Sequence, residues 1–398
     1  MKKLLLAVIF SISTITTAAL AEVKVGIILG FTGPIESLTP AMRDSAKLAL
    51  NEVSGSAVFL GGEAITILEG DSTCIDSAAA VTVAEGQIAD GVAAIMGADC
   101  SGVTGAIATN VAVPNGVPMV SPSATSPGLT DLDDNGYFFR TSPSDARGGQ
   151  ILANIATARG LSSVAITYTN NDYGKGLADV FEASFIANGG TVTAVASHED
   201  GKGDYSAEVA VLGAAGGDGL AVIGYLDQGG KGMIEASLDT GAFDTFVLSD
   251  GMIGQSLIDA IGSDLEGSFG SLPGTDSAGA TKFATVANNG GVDPSGPYTG
   301  ESYDAAALIV LAAAVGHKNN PNQHIRQAIA DNIMNVANAP GTEILPGQLR
   351  KALIIIRDGG EINYQGATDV ELVGVGEASG SFKEVEVSGG AFTTIQIH

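Results

Sequence analysis

Three small hydroxyl side chains, Ser101, Ser123 and Thr125, fall within one thirty-residue stretch, Met96 to Thr125, reading MGADCSGVTGAIATNVAVPNGVPMVSPSAT. The chemistry such residues do best is to grip an anion, because hydroxyls and backbone N–H groups at a helix start form a socket for a carboxylate or phosphate. The surrounding pattern says how they are carried. An apolar run, Val92 to Met96, reads as a short buried strand, and Gly97-Ala98-Asp99-Cys100-Ser101-Gly102 turns the chain into a helical pattern from about Val103 to Val111. After Pro114-Asn115-Gly116, a second strand, Val117 to Ser121, runs into Pro122-Ser123-Ala124-Thr125. Both hydroxyl loops therefore stand at carboxyl ends of strands, where open α/β sheets place ligands. Taken singly, Ser101 reads as a helix cap and Ser123 to Thr125 as a turn. Two such loops one βα unit apart point instead to a binding site.

The elements on either side extend this arrangement. Val23 to Leu29 reads as a strand ending at Gly30-Phe31-Thr32-Gly33-Pro34, followed by an amphipathic helix from about Thr39 to Val53, a strand Ala64 to Glu69 and a helix Ser77 to Asp90. Strands alternating with helices at this spacing give a parallel sheet covered on both faces. At Phe138-Phe139-Arg140-Thr141-Ser142-Pro143 the pattern resets. A second series follows: helix Ala146 to Arg159, strand Val164 to Tyr168, strand Thr191 to Ala196, helix Tyr205 to Ala214, strand Leu220 to Gly224, helix Gly230 to Thr240 and strand Phe246 to Ser249, with Asp250 next and a helix Gln255 to Ile261. Leu272-Pro273-Gly274 reads as a return crossing. Long helices at about Tyr303 to Val315 and Ile325 to Asp331 come after it, and the β-branched, glycine-rich remainder from Gly341 is expected to supply edge strands and a last crossing.

Composition narrows the class. Lys2-Lys3, an apolar run from Leu4 to about Ile15 and Ala19-Leu20-Ala21 make a signal peptide cleaved after Ala21, so residues 1–21 are set aside and a periplasmic destination is expected. The apolar run is too short to span a bilayer, and no cysteine follows the cleavage site. The formal charge of -26 argues against nucleic acid or an anionic membrane surface as partner. Cys74 and Cys100 are the two cysteines of the chain, and an exported pair with no third thiol forms one disulfide most simply. His198, His317, His324 and His398 are scattered without zinc-like spacing, so no metal and no cofactor is expected. There is no G-x-S-x-G elbow. In Gly224-Tyr225-Leu226-Asp227-Gln228-Gly229-Gly230-Lys231 the lysine is one residue out of P-loop register and a glycine follows it, while Gly374-Val375-Gly376 lacks the third glycine of a dinucleotide fingerprint. These failures argue against an enzyme.

Several stretches resemble the Leu/Ile/Val-binding protein family, the type I periplasmic solute receptors of ABC importers. They are Gly33-Pro34, Cys74, Cys100-Ser101, Ser121-Pro122-Ser123-Ala124-Thr125-Ser126-Pro127, Asp172-Tyr173-Gly174-Lys175-Gly176 and Asp293-Pro294-Ser295-Gly296-Pro297-Tyr298. The resemblance implies an α/β type I periplasmic-binding-protein fold: two Rossmann-like lobes with parallel sheets, three crossings and an inter-lobe cleft. It divides the chain into a first lobe over residues 22–140 and 273–380 and a second over residues 141–272 and 381–398. It further implies that Ser101, Ser123, Ala124 and Thr125 clamp the α-carboxylate and α-amino group of an amino acid, that Tyr173 and Tyr225 contact the ligand from the second lobe, and that Asp250 pairs with the ammonium where the family often has a glutamate. Two departures stand out. The tryptophan of the branched-chain receptors has no counterpart near Ser37-Leu38, and the acid at 250 is one methylene shorter. The expected function is delivery of a small aliphatic amino acid to an ABC permease by a monomer. A receptor for urea or a short amide on the same fold is the alternative, and a ligand-sensing domain the third reading.

Overall fold

The computed structural model describes residues 22–398, and the expected signal peptide lies outside the described residues. The apolar opening run forms β1 (Val23–Leu29), and alternation then produces α1 (Thr39–Ser54), β2 (Ile65–Asp71), α2 (Ser77–Ala89), β3 (Ala94–Gly97), α3 (Ser101–Ile107), β4 (Met119–Ser121) and β5 (Phe138–Arg140). The second series is α4 (Asp145–Ala158), β6 (Ser163–Thr169), α5 (Asp172–Ala187), β7 (Thr191–His198), α6 (Ser206–Ala215), β8 (Gly219–Ile223), α7 (Gly229–Thr240), β9 (Phe246–Leu248), α8 (Gln255–Ile261) and β10 (Phe269–Pro273). The return comprises α9 (Ala278–Gly290), α10 (Thr299–Asn319), α11 (Ile325–Ala337), β11 (Thr342–Ile344), α12 (Leu349–Arg357), β12 (Ile362–Tyr364), β13 (Leu372–Val373) and β14 (Glu377–Ala378). Two last strands, β15 (Phe382–Ser388) and β16 (Ala391–Ile397), end the chain.

These strands build two seven-stranded sheets, ordered β13-β14-β5-β4-β3-β1-β2 and β16-β15-β10-β9-β8-β6-β7. Pairings within β1 to β5 and within β6 to β10 are parallel, and the added strands bring antiparallel edges. Strands β3, β8 and β9 are buried throughout. That follows from helices covering both faces of a parallel sheet, and it is why these strands read as unbroken apolar runs. The chain passes from the first sheet to the second after Arg140, returns after Pro273 and passes over again before Phe382. Among the described residues no helix is long and apolar enough to cross a membrane.

Several elements differ from the sequence reading, among them α9, which it did not contain. Helix α3 begins at Ser101 and is short, because its path changes to a wider π turn over Ala108–Ala112 before Pro114. Helix α5 fills the interval after Asn171, whose side chain accepts from the Gly174 N–H at 3.0 Å and so caps the first turn. Helix α12 stands where strands were expected. Its run LRKALIIIR is rich in β-branched residues, yet Leu349, Ala352, Leu353 and Ile356 are the buried ones, a helical stripe that tertiary packing favours over strand propensity.

Candidate functional site

The loops after β1, β2 and β3 are tied together on one carboxylate. Asp99 accepts from the Gly30 N–H (2.6 Å), the Ser72 hydroxyl (3.1 Å) and the Cys100 N–H (2.9 Å). Burial pushes this group up, and the bonds it accepts pull it back toward the charged form. Cys74 and Cys100 form a disulfide, with Cα atoms 5.2 Å apart, that links the loop after β2 to the start of α3. Ser101 is thereby fixed as the first residue of α3. The loop after β4 is bound to the same frame: Ser123 Oγ donates to the Asp99 carbonyl (3.1 Å), Ser121 Oγ donates to the Ala98 carbonyl (2.5 Å), and Ser101 Oγ accepts from the Ser126 N–H (3.1 Å). Ala124 has both backbone groups engaged, its N–H on Ser121 Oγ at 3.0 Å and its carbonyl under the Arg140 guanidinium at 3.0 Å. That arginine is fully buried and ion-paired with Glu377.

The second lobe brings Tyr173, in the first turn of α5, together with Tyr225 after β8 and Asp250 after β9. The two rings stack with centroids 5.1 Å apart and planes 17° from parallel. Tyr173 donates its hydroxyl to Asp250 Oδ1 at 2.6 Å, and its oxygen accepts from the Gly251 N–H at 3.1 Å. A side chain at 251 would place its Cβ 2.5 Å from the Gly224 carbonyl oxygen and 3.0 Å from the Tyr173 hydroxyl, so glycine is required for this approach. The other oxygen of Asp250 accepts from the Tyr298 hydroxyl, which comes from the first lobe. Burial pushes Asp250 above the usual carboxylate range while the two phenols draw it down. Asp145, at the start of α4, is driven well up by burial and then by the neighbouring Asp250 carboxylate. One Asp145 oxygen and the Thr125 hydroxyl are buried without a hydrogen-bond partner. None of the ion pairs among the described residues includes Asp250 or Asp145.

Between the lobes lies a narrow cavity of about 20 Å³. Ile35, Leu38 and Met42 make one aliphatic wall, Tyr173, Tyr225, Tyr298 and Asp250 face it, and Ser101 and Ser123 close an end. Of the residues singled out in the sequence, five line the space, while Ala124 and Thr125 stand outside its lining. Sequence reasoning missed Tyr298, although it ends one of the stretches that carry the family resemblance, and it missed Asp145 and the aliphatic wall. The signal for Tyr298 was a phenol closing a matched motif. Asp145 gave none beyond an ordinary helix start. The cleft is shut: Asp227 donates its N–H to the Pro34 carbonyl (3.0 Å) and accepts from the Ser37 N–H (2.9 Å), and Ser126 Oγ donates to the Asp172 carbonyl (3.0 Å), each across the lobes. What this arrangement offers chemically is a buried acceptor carboxylate, a hydroxyl end and an apolar wall. Those are tools for holding a molecule.

Comparison with known proteins agrees with this architecture. A family model described as periplasmic binding protein matches residues 22–343. Leu/Ile/Val-binding protein homolog 1 of Brucella abortus (strain 2308) is 30% identical over 312 residues, covering 77% of this chain and 82% of that one. Among solved structures, a leucine binding protein, LivK, from Thermotoga maritima superposes with a TM-score of 0.78 at 23% identity, covering 94% and 98% of the two chains. A solute binding protein from R. palustris in complex with 4-hydroxybenzoate superposes with a TM-score of 0.71 at 20% identity, covering 95% and 97%.

Proposed function

The chain belongs to the periplasmic binding protein family, among the relatives of the Leu/Ile/Val-binding proteins, which are solute receptors and not enzymes; from that premise we propose that it binds a small aliphatic amino acid between its lobes and delivers it to an ABC permease. On this reading the protein works as a monomer in the periplasm after removal of residues 1–21. Asp250 pairs with the ligand ammonium, Tyr173 and Tyr225 cover it, and Ser101 and Ser123 serve the carboxylate end, with Ala124 and Thr125 in the loop behind them. The residues 141–144, 273–274 and 379–381 that join the lobes are the hinge.

One observation carries the proposal. Asp250 is a buried carboxylate that faces the cavity with no side-chain cation beside it. An ionised carboxylate in a dry site is costly until a positive charge joins it. A zwitterion supplies that charge, and its own carboxylate needs the donors at the opposite end. A benzoate would bring a second negative charge toward Asp250. The aliphatic wall of Ile35, Leu38 and Met42 suits an apolar side chain.

Thermal-shift screening followed by calorimetry, with leucine, isoleucine, valine, alanine, urea, acetamide and 4-hydroxybenzoate as probes, tests the reading. A ligand at 100 times its Kd stabilises the folded state by about 2.7 kcal/mol, a shift of several degrees. Stabilisation by one or more of the amino acids, with none by urea, acetamide or the benzoate, is the expected result. Binding of an amide or a benzoate in their place would overturn it.

A further inference from the structure

Tyr298 is an unusual residue for the end of a loop. It precedes α10 with φ 60° and ψ 10°, a left-handed conformation that residues with a Cβ rarely adopt and that persists where the surroundings over-determine it. Its ring is 7% exposed. Helix α10, which it introduces, packs on α1, β3 and β4 of the first lobe, whereas Asp250 follows β9 of the second. The bond from the Tyr298 hydroxyl to Asp250 Oδ2 therefore crosses the cleft at its buried centre. Each oxygen of the carboxylate receives one phenol, Tyr173 from its own lobe and Tyr298 from the opposite one. A hydroxyl donated to an ionised oxygen is among the stronger hydrogen bonds, and stronger still away from water. An ionised carboxylate has about four acceptor sites, so the two phenols leave room for a ligand donor beside them.

We propose that Tyr298 is the closing residue of the cleft, a donor built into the chain that draws Asp250 and its lobe across before any ligand arrives. Of the other bonds between the lobes, those of Ser37 to Asp227 and to Ser256 are exposed and that of Ser126 to Asp172 is partly buried, so water competes for them. The Tyr298 bond is sheltered, and its charge-assisted character gives it the larger weight. A receptor built this way populates the shut form without cargo, and the ligand inherits a lobe equilibrium already biased toward closure. The inference does not depend on which solute the cleft takes.

Spin labels on Glu85→Cys and Ala187→Cys, exposed positions on α2 and α5 of the two lobes, report lobe separation by pulsed dipolar spectroscopy. Ligand-free native protein is expected to show a short, closed distance alongside a long one. Tyr298→Phe keeps the ring and removes the donor, and it should cut the closed-to-open ratio about tenfold, the value of one charge-assisted hydrogen bond. An unchanged ratio in the variant overturns the proposal. Should the variant misfold, the native protein supplies a second test: a single open distance without ligand, with the closed one absent, also overturns it.

Discussion

Replacing Asp250 by Asn separates a ligand-pairing carboxylate from a structural one. The substitution conserves shape, and the amide oxygen still accepts one of the two phenols, Tyr173 or Tyr298. What it removes is a negative charge, nearly fully buried, that sits beside Asp145 and makes no ion pair of its own. In the ligand-free protein this relieves repulsion and desolvation, so the melting temperature should hold or rise. With an amino acid bound, the ammonium loses its counter-charge in a closed cleft, and truncating one member of such a pair costs roughly 2 to 5 kcal/mol. That corresponds to a loss of affinity of roughly 30-fold at the low end and several-thousandfold at the high end. Calorimetric titration measures the first quantity, and differential scanning calorimetry without ligand measures the second. A variant that binds an amino acid within about threefold of the parent, less than about 0.7 kcal/mol, would sink the pairing argument. It would also favour a neutral ligand.

Two further outcomes follow from the buried groups. Burial pushes the Glu301 carboxyl to about 7 from its ordinary 4.5 and that of Asp304 to about 6 from 3.8. The folded protein keeps these protons over a range in which the unfolded chain has released them, so stability should fall as pH rises from about 4.5 to 7.5, by roughly 3 kcal/mol from Glu301. Glu301→Gln should flatten that slope in urea melts across this range, and an unaltered slope would refute the assignment. Reducing the Cys74–Cys100 bridge, which closes a 26-residue separation, should lower unfolding free energy by about 3.5 kcal/mol on the chain-entropy estimate; a reduced protein whose urea midpoint matches the oxidised one would contradict it.

Much of the fold was legible because parallel strands covered on both faces must be apolar along their length. Val23–Leu29, Gly219–Ile223 and Phe246–Leu248 could be read as strands for that reason. The loops at their carboxyl ends then followed from topology, and with them Ser101 and Ser123, whereas Tyr173 and Asp250 were singled out by the family resemblance. Leu349–Arg357 was not legible as a helix, since its three consecutive isoleucines carry strand propensity while the stripe at 349, 352, 353 and 356 becomes meaningful only against α10. The partnership of Tyr298 with Asp250 was hidden for a different reason. It joins residues 48 apart across two lobes, and no periodicity within either segment reports which loops will face each other. The stacking of Tyr225 on Tyr173 is of the same kind.

The three passages of the chain between the sheets mean that neither lobe is a continuous stretch of gene. The first is assembled from β1 to β5 and from α9 to β14, and the second from the interval between them together with β15 and β16. A single recombination point therefore cannot exchange one lobe for that of a relative, as it could for domains strung end to end. Any such exchange leaves at least one sheet with strands from both parents. Substitution at wall positions such as Leu38, Asp250 and Tyr298, by contrast, alters the lining of the cleft while leaving the strands of both sheets as they are.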